Sequence, residues 1–86
     1  MLIEVQLFAG ARQLAGRATI TIEIAAGATI ADLKLAVAEV IPALAPLLGS
    51  TRFAINQEYV EDDQIIPPGA EVAAIPPVSG GEEAAS

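Results

Sequence analysis

Residues Leu2–Phe8 read LIEVQLF, a stretch in which apolar and polar side chains alternate with a period of two. This alternation is typical of a β-strand that buries one face. We expect Ile3, Val5 and Leu7 to point into the core and Phe8 to lie on the opposite face. The interspersed polar side chains also argue against a secretory signal sequence in this stretch.

A second alternating stretch follows at Ala18–Ala25, with an isoleucine at every second position. Ile20, Ile22 and Ile24 form its inward set. Between the two strands, Ala9–Gly16 is interpreted as a loop that ends in glycine. The two strands are therefore predicted to form a β-hairpin with a rather long connection.

A helix is predicted after Gly27, where the alternation ends. Thr29 is a favourable N-cap, and Asp32 three residues later makes a near relative of the capping box. The apolar residues at helical spacing, which should pack on the sheet, are Ile30, Leu33, Val37, Val40 and Ile41. Pro42 is expected to end the helix, and residues 43–48 to form a second short helix interrupted by a proline.

The second half of the chain contains three further short strands, predicted at Arg52–Asn56, Tyr59–Val60 and Glu71–Ile75. Between the last two strands we expect an acidic loop at Glu61–Asp63 and a helical turn at Gln64–Ile66. The resulting order, β-β-α-β-β-β, predicts an α+β fold. In this fold one mixed sheet of about five strands is covered on one face by one main helix.

The last strand leads into PPVSGG at Pro76–Gly81. Proline fixes φ, so the Pro-Pro pair stiffens the exit from the fold. Gly80 and Gly81 lack a Cβ and can pass through a narrow channel. Six extended residues reach about 20 Å at about 3.3 Å each. The sequence thus predicts one domain at residues 1–79 and a flexible arm at residues 80–86, which ends in the five-residue extension EEAAS.

The chain has no cysteine and no histidine among its 86 residues. The absence of cysteine rules out disulfides, thiolate metal sites and a cysteine nucleophile, and it is typical of a cytosolic protein. Without histidine, the commonest general base and the commonest metal ligand are both missing. We therefore expect a cytoplasmic protein that binds no metal or cofactor of its own and supplies no acid–base machinery.

The net charge is −7, with only four basic residues. Such a chain repels phosphate backbones and anionic lipid surfaces, which argues against nucleic acids and membranes as partners. The acidity fits a partner with a basic surface, and it equally fits a solubilising role. Glu61–Asp63 is expected to be a solvated loop rather than a cation site, and Lys34 an exposed helix lysine.

Three segments resemble the β-grasp (ubiquitin-like) sulfur-carrier family, which includes the small subunit of molybdopterin synthase. They are VQLFAGARQLAG at residues 5–16, AINQ at residues 54–57 and EVAAIPPVSGG at residues 71–81. The resemblance covers residues 1–81 and implies a β-grasp domain. It departs from the family at Ile75, where an aromatic residue is common.

The resemblance implies chemistry on a C-terminal glycine carboxylate. In this family an E1-like adenylating enzyme uses ATP to convert that carboxylate into an acyl-adenylate, and sulfur then replaces AMP to give a thiocarboxylate. The large subunit of the synthase uses the sulfur to build the dithiolene of molybdopterin. Carried over to this chain, Gly81 preceded by Gly80 is the reactive end of a non-catalytic subunit that donates sulfur.

A docking surface is also predicted. In a β-grasp sheet the first and last strands are central, adjacent and parallel, so Phe8 and Ile75 should meet on the uncovered face with Ala73 nearby. An exposed apolar patch there favours an interface. The residues predicted to bind partners, with Arg12 included on the resemblance alone, are Phe8, Ile75, Pro76, Pro77, Val78, Arg12 and Tyr59.

The sequence is compatible with other functions as well. A sulfur carrier for thiamine or cysteine synthesis and a ubiquitin-like protein modifier share the adenylation step, whereas an interaction module needs no C-terminal chemistry. A carrier or modifier must first lose Glu82–Ser86, because these residues hold the Gly81 carboxylate in a peptide bond. A processing peptidase is therefore a further predicted partner.

Overall fold

The computed structural model describes residues 1–77, which form a five-stranded sheet and three α-helices. The strands are β1 (Leu2–Leu7), β2 (Thr19–Glu23), β3 (Arg52–Ile55), β4 (Glu58–Val60) and β5 (Val72–Ile75). The helices are α1 (Ala9–Ala15), α2 (Ile30–Val40) and α3 (Ala45–Leu48), and a 3₁₀ turn at Pro42–Leu44 leads into α3. Val78 and the predicted arm at residues 80–86 lie outside the described residues.

A parallel pair, β1 and β5, lies at the centre of the sheet, whose strand order is β2-β1-β5-β3-β4. The outer neighbours of this pair, β2 and β3, run antiparallel to it. α2 packs across one face of the sheet through its buried side chains. The other face carries exposed side chains such as Glu4, Thr21 and Tyr59. The predicted β-grasp architecture is confirmed.

The core is aliphatic and lies between the sheet and α2. Most of the residues predicted to face the core are buried, namely Ile3, Val5, Leu7, Ile20, Ile22, Ile24, Ile30, Leu33 and Val37, and Val72 on β5 is buried with them. Phe53, Leu44 and Ile66 are buried as well and were not predicted. The one large aromatic side chain among them, Phe53, points inward from β3.

The start of α2 follows the predicted cap. The Asp32 backbone N–H donates to Thr29 Oγ1 at 3.3 Å, and the Thr29 backbone N–H donates to Asp32 Oδ2 at 3.0 Å. Two otherwise unpaired donors are thereby satisfied reciprocally. The helix therefore begins where the sequence predicts.

The end of α2 differs from the prediction at Val40, which is exposed instead of packing on the sheet. Pro42 cannot continue the helix. The backbone leaves the helical conformation at Ile41, with φ −130° and ψ 84°. Ile41 is then half-buried against the core, and Val40 remains on the outer side of the last turn.

Residues Ala9–Ala15 form the helix α1, so the loop predicted at Ala9–Gly16 is wrong. Gly16 adopts the left-handed conformation with φ 75° and donates its backbone N–H to the Arg12 carbonyl oxygen at 3.0 Å. An alanine-rich segment that ends in glycine suits a short helix with a left-handed C-cap. Ala11 is its one buried residue. The sequence of this helix therefore has no apolar stripe from which a helix could be predicted.

The predicted helical turn at Gln64–Ile66 is also wrong. Ile65 forms an antiparallel bridge with Thr29. The Ile66 N–H donates to the Ala28 carbonyl oxygen at 2.9 Å, and the Ile30 N–H donates to the Gln64 carbonyl oxygen at 3.0 Å. The segment is extended because its backbone groups pair with the entry to α2.

Replacing Leu33 with alanine should lower the free energy of unfolding by about 2–5 kcal/mol, as for other buried leucines. Leu33 is 0% exposed, so the truncation leaves a cavity between α2 and the sheet. Urea denaturation followed by circular dichroism measures the effect.

Leu35→Ala is the matched control, because Leu35 lies on the same helix and is 69% exposed. Its effect should stay within about 0.5 kcal/mol. Equal stabilities of the two variants would contradict the core described above.

Candidate functional site

The open face of the sheet contains a cavity of about 340 Å³, which we call the sheet cavity. Its centre is a row of cross-strand neighbours: Gln6 opposite Ala73, Ala73 opposite Ala54, and Ala54 opposite Tyr59. The two middle positions are alanines on the central strand β5 and its neighbour β3. Small side chains between larger neighbours leave a hollow, and Ala54 at its floor is only 5% exposed.

Phe8 forms one wall of the sheet cavity, directly after β1. Its backbone N–H donates to the Ala74 carbonyl oxygen at 3.2 Å, which ties it to β5. The phenyl side chain is 43% exposed. Hydrogen bonding therefore fixes the backbone position and leaves the ring accessible.

Phe8 is also the N-cap residue of α1, with φ −123° and ψ 159° and no side-chain cap hydrogen bond. Serine, threonine, aspartate and asparagine are favoured at this position, because their oxygen accepts from an unpaired helix N–H. Phenylalanine offers no such acceptor. Neither helix capping nor full burial accounts for this side chain, which favours a role at the surface.

Ile75 and Tyr59 contribute to the apolar part of the cavity wall. Ile75 is half-buried and lies opposite Arg52 in the β3–β5 ladder. The Arg52 guanidinium carbon lies 4.3 Å from the centroid of the Tyr59 ring, in cation–π geometry. The exposed tyrosine ring is thus held at the rim by a contact within the chain.

The structure therefore brings together three sequence-predicted site residues, Phe8, Tyr59 and Ile75, around one cavity, with Ala73 at its floor. Sequence reasoning missed the polar residues of the lining, Gln6, Gln57 and Glu71. The Gln6 side-chain amide donates to Glu71 Oε2 at 3.4 Å. Alternation along β1 places Gln6 on the same face as Phe8, so the sequence could have identified it. Gln57 could be identified only from the geometry of the β3–β4 turn.

The exit from the fold lies beside this cavity. Pro76 is buried and Pro77 is exposed, so Pro76 packs within the chain and Pro77 is the first exposed residue after β5. The remaining predicted site residues, Val78, Gly80 and Gly81, lie outside the described residues.

Arg12 lies elsewhere. It is exposed on α1 and lines a separate open depression of about 560 Å³ together with Gln13 and Arg17. The residues of this depression and those of the sheet cavity do not overlap. The structure therefore does not bring the Arg12 side chain into the cavity that contains Phe8.

The prediction that Lys34 is an exposed helix lysine is wrong. Its Nζ lies 2.8 Å from Asp62 Oδ1 and 5.8 Å from the centroid of the Phe53 ring, and the side chain is largely covered. The acidic loop is thus fastened to α2 through Asp62. Within residues 1–77 no cluster of three or more candidate ligands could hold a metal ion.

The described helices are short, at 11 residues or fewer. None of those within residues 1–77 is long and apolar enough to cross a bilayer.

The chain matches known proteins over most of its length. A model described as the ThiS family matches residues 5–81. The molybdopterin synthase sulfur carrier subunit of Chlamydomonas reinhardtii is 42% identical over 83 residues, covering 94% of this chain and 100% of that protein. The human protein of the same name is 37% identical over 82 residues, covering 92% and 93% respectively.

Solved structures match the fold. The small archaeal modifier protein 1 of Haloferax volcanii superposes with a TM-score of 0.80 at 27% identity, covering 90% of this chain and 98% of that one. A putative molybdopterin converting factor subunit 1 from Pyrococcus furiosus gives 0.79 at 28% identity, covering 91% and 99%. A subunit in the complex of molybdopterin-converting factor subunits 1 and 2 from Helicobacter pylori gives 0.67 at 21% identity, covering 94% and 100%, a likeness of fold alone.

The β-grasp sheet, the apolar cavity beside the exit of the last strand and these matches agree with one another. With residues 5–81 matched and relatives covered almost completely, the chain belongs to the ThiS family, among the sulfur carrier subunits of molybdopterin synthase.

Proposed function

We propose that this chain carries sulfur for molybdopterin synthesis as a thiocarboxylate on Gly81. The observation that carries the proposal is that the sheet cavity is lined by Ile75, the last residue of β5, two residues before the exposed Pro77. A partner bound at this cavity lies within reach of a C-terminal arm about four residues long beyond Pro77, or about 13 Å when extended.

The chemistry assigns the activation step to a partner. A carboxylate is a poor electrophile until one of its oxygens becomes a leaving group. In the proposed route the Gly81 carboxylate oxygen attacks the α-phosphorus of ATP and displaces pyrophosphate. A sulfide-equivalent donor then attacks the acyl carbon and displaces AMP, which leaves a thiocarboxylate. The chain has no cysteine or histidine to perform these steps, so it supplies the carrier and the docking surface.

Two partners follow from this route: an E1-like adenylating enzyme, which binds the ATP, and the large subunit of molybdopterin synthase, which takes the sulfur. The solved Helicobacter pylori complex contains subunits 1 and 2 of the molybdopterin-converting factor, which supports a two-subunit arrangement for this chain. We propose that both partners use the sheet cavity in turn, in the cytoplasm, because each must receive the same arm.

The extension Glu82–Ser86 is proposed to be removed by a peptidase before the chain functions. Residues 82–86 lie beyond the segment that the family model matches. Passing Glu82 and Glu83 through a channel suited to glycines would desolvate two charges without evident partners. Removal also changes the net charge from −7 to −5, since both glutamates leave with it.

A second candidate function is protein modification, in which a lysine amine rather than sulfur attacks the Gly81 adenylate. The fold match to the Haloferax volcanii modifier protein supports it. A carrier for thiamine or cysteine synthesis is a third. All share the adenylation step, and the acceptor of the activated glycine distinguishes them.

The form that ends at Gly81 should become thiocarboxylated when incubated with ATP, a sulfur donor and the adenylating enzyme. Intact mass spectrometry should show the gain of one sulfur-for-oxygen exchange. The full-length chain, in which Gly81 is in a peptide bond, should not change. Thiocarboxylation at Ser86, or an inert Gly81 form with a competent enzyme, would contradict the proposed processing.

Phe8→Asp should weaken binding to the molybdopterin synthase large subunit at least tenfold, or by about 1.4 kcal/mol, because a charge replaces an apolar cavity wall. The Tm should stay close to that of the wild type, since Phe8 is 43% exposed and aspartate is a favoured N-cap for α1. Isothermal titration calorimetry and thermal unfolding provide the two measurements.

Leu35→Asp is the control for Phe8→Asp. It adds the same charge at an exposed leucine on α2, away from the sheet cavity. Its affinity should match that of the wild type. Equal affinities of the Phe8→Asp variant and the wild type would remove the sheet cavity from the binding surface.

A further inference from the structure

The turn between β3 and β4 has an unusual backbone. Asn56 and Gln57 are its two central residues, and both have positive φ, at 51° and 73°. Ile55 and Glu58 flank them as a cross-strand pair. This is the geometry of a two-residue hairpin turn, for which asparagine followed by glycine is the favoured pair.

The first of the two residues has a structural explanation. Asparagine tolerates the left-handed conformation better than most residues. Its side-chain oxygen accepts a hydrogen bond from the Glu71 N–H at 3.0 Å, and its own N–H donates to the Glu71 carbonyl oxygen at 2.8 Å. Asn56 thus fastens the turn to the start of β5.

The second residue has no such explanation. Gln57 takes the left-handed conformation at the position where glycine is favoured, and a side chain with a Cβ is strained there. The Gln57 side chain is exposed and makes no hydrogen bond within residues 1–77. For the fold alone, glycine would be the more stable choice at this position.

Gln57 does, however, line the sheet cavity. It shares the polar part of the lining with Gln6 and Glu71, whereas Phe8, Tyr59 and Ile75 supply the apolar part. The Gln6 amide already donates to Glu71. Gln57 therefore offers an amide donor and acceptor that have no partner within residues 1–77, beside the apolar part of the lining.

We propose that Gln57 is a recognition residue for the molybdopterin synthase large subunit. A polar side chain or a backbone group of the large subunit hydrogen-bonds to the Gln57 amide, and one of its apolar side chains fills the hollow above Ala54 and Ala73. The inference rests on the proposed function. Apolar contacts are non-directional, whereas a hydrogen bond constrains orientation. The amide thereby fixes the angle at which the carrier docks and its arm enters the partner.

Replacing Gln57 with glycine separates this role from a structural one, because the two effects have opposite signs. Gln57→Gly should raise the Tm by relieving the strained conformation. It should also weaken binding to the purified large subunit about fivefold, the loss expected for one hydrogen bond. Gln57→Ala should weaken binding equally without raising the Tm, since alanine keeps the Cβ.

Asn56→Gly is the matched control, because it makes the same replacement at the neighbouring position of the same turn. Asn56 is not part of the sheet cavity lining, and its side chain holds Glu71. The Tm of this variant should fall and its affinity should match that of the wild type. A loss of affinity equal to that of Gln57→Gly would assign the effect to turn flexibility and overturn the inference.

Wild-type affinity in the Gln57→Gly and Gln57→Ala variants would also overturn it. Failure of the wild-type chain itself to bind the large subunit is a separate outcome. That result would overturn the proposed function together with the inference, whereas tight wild-type binding with unaffected Gln57 variants leaves the proposed function standing.

Discussion

The parallel pairing of β1 with β5 is the constraint on which the other features of the molecule depend. It joins Val5 to Val72 and Leu7 to Ala74, so the ends of the first and last strands lie side by side. Parallel strands leave a sheet at the same edge, and therefore Phe8 and Pro77 emerge together. The hydrogen bond from the Phe8 N–H to the Ala74 carbonyl oxygen holds Phe8 beside the end of β5. An antiparallel pairing would separate the apolar surface from the exit of the chain.

Under the proposed function, one face of the sheet stabilises the fold and the other binds partners. The face under α2 buries large aliphatic side chains and Phe53, and its cohesion scales with the apolar area removed from water. The open face places alanines at Ala54 and Ala73, where larger apolar residues would fill the hollow. Exposed antiparallel sheet faces normally carry polar residues. Around the sheet cavity, Phe8, Tyr59 and Ile75 depart from that pattern together with the two alanines.

The sequence predicted the elements that have a clear hydrophobic periodicity. It missed α1, which has only one buried residue, and the features that depend on pairing with distant residues. Alternation in β1 and β2 identified their buried faces, and the Thr29–Asp32 cap identified the start of α2. The extended Gln64–Ile66 segment and the Lys34–Asp62 ion pair were missed because each is fixed by a partner remote in sequence. Alternation along the strands placed Phe8 and Ile75 on the open face, and the strand order of a β-grasp sheet predicted that they meet. The alanine floor and the Arg52–Tyr59 contact required the register of β3 against its neighbours.

Under the proposed mechanism one surface serves two partners in succession, and this requirement explains its composition. A surface shaped for one partner by many hydrogen bonds would leave those groups unpaired with the other, and buried unpaired polar groups are costly. A small apolar hollow accepts any apolar side chain of suitable size, so it tolerates a change of partner. A few polar groups at the rim then suffice to orient each complex. The left-handed backbone at Gln57, where glycine would be more stable, fits a role for this side chain at the rim and not in the turn itself.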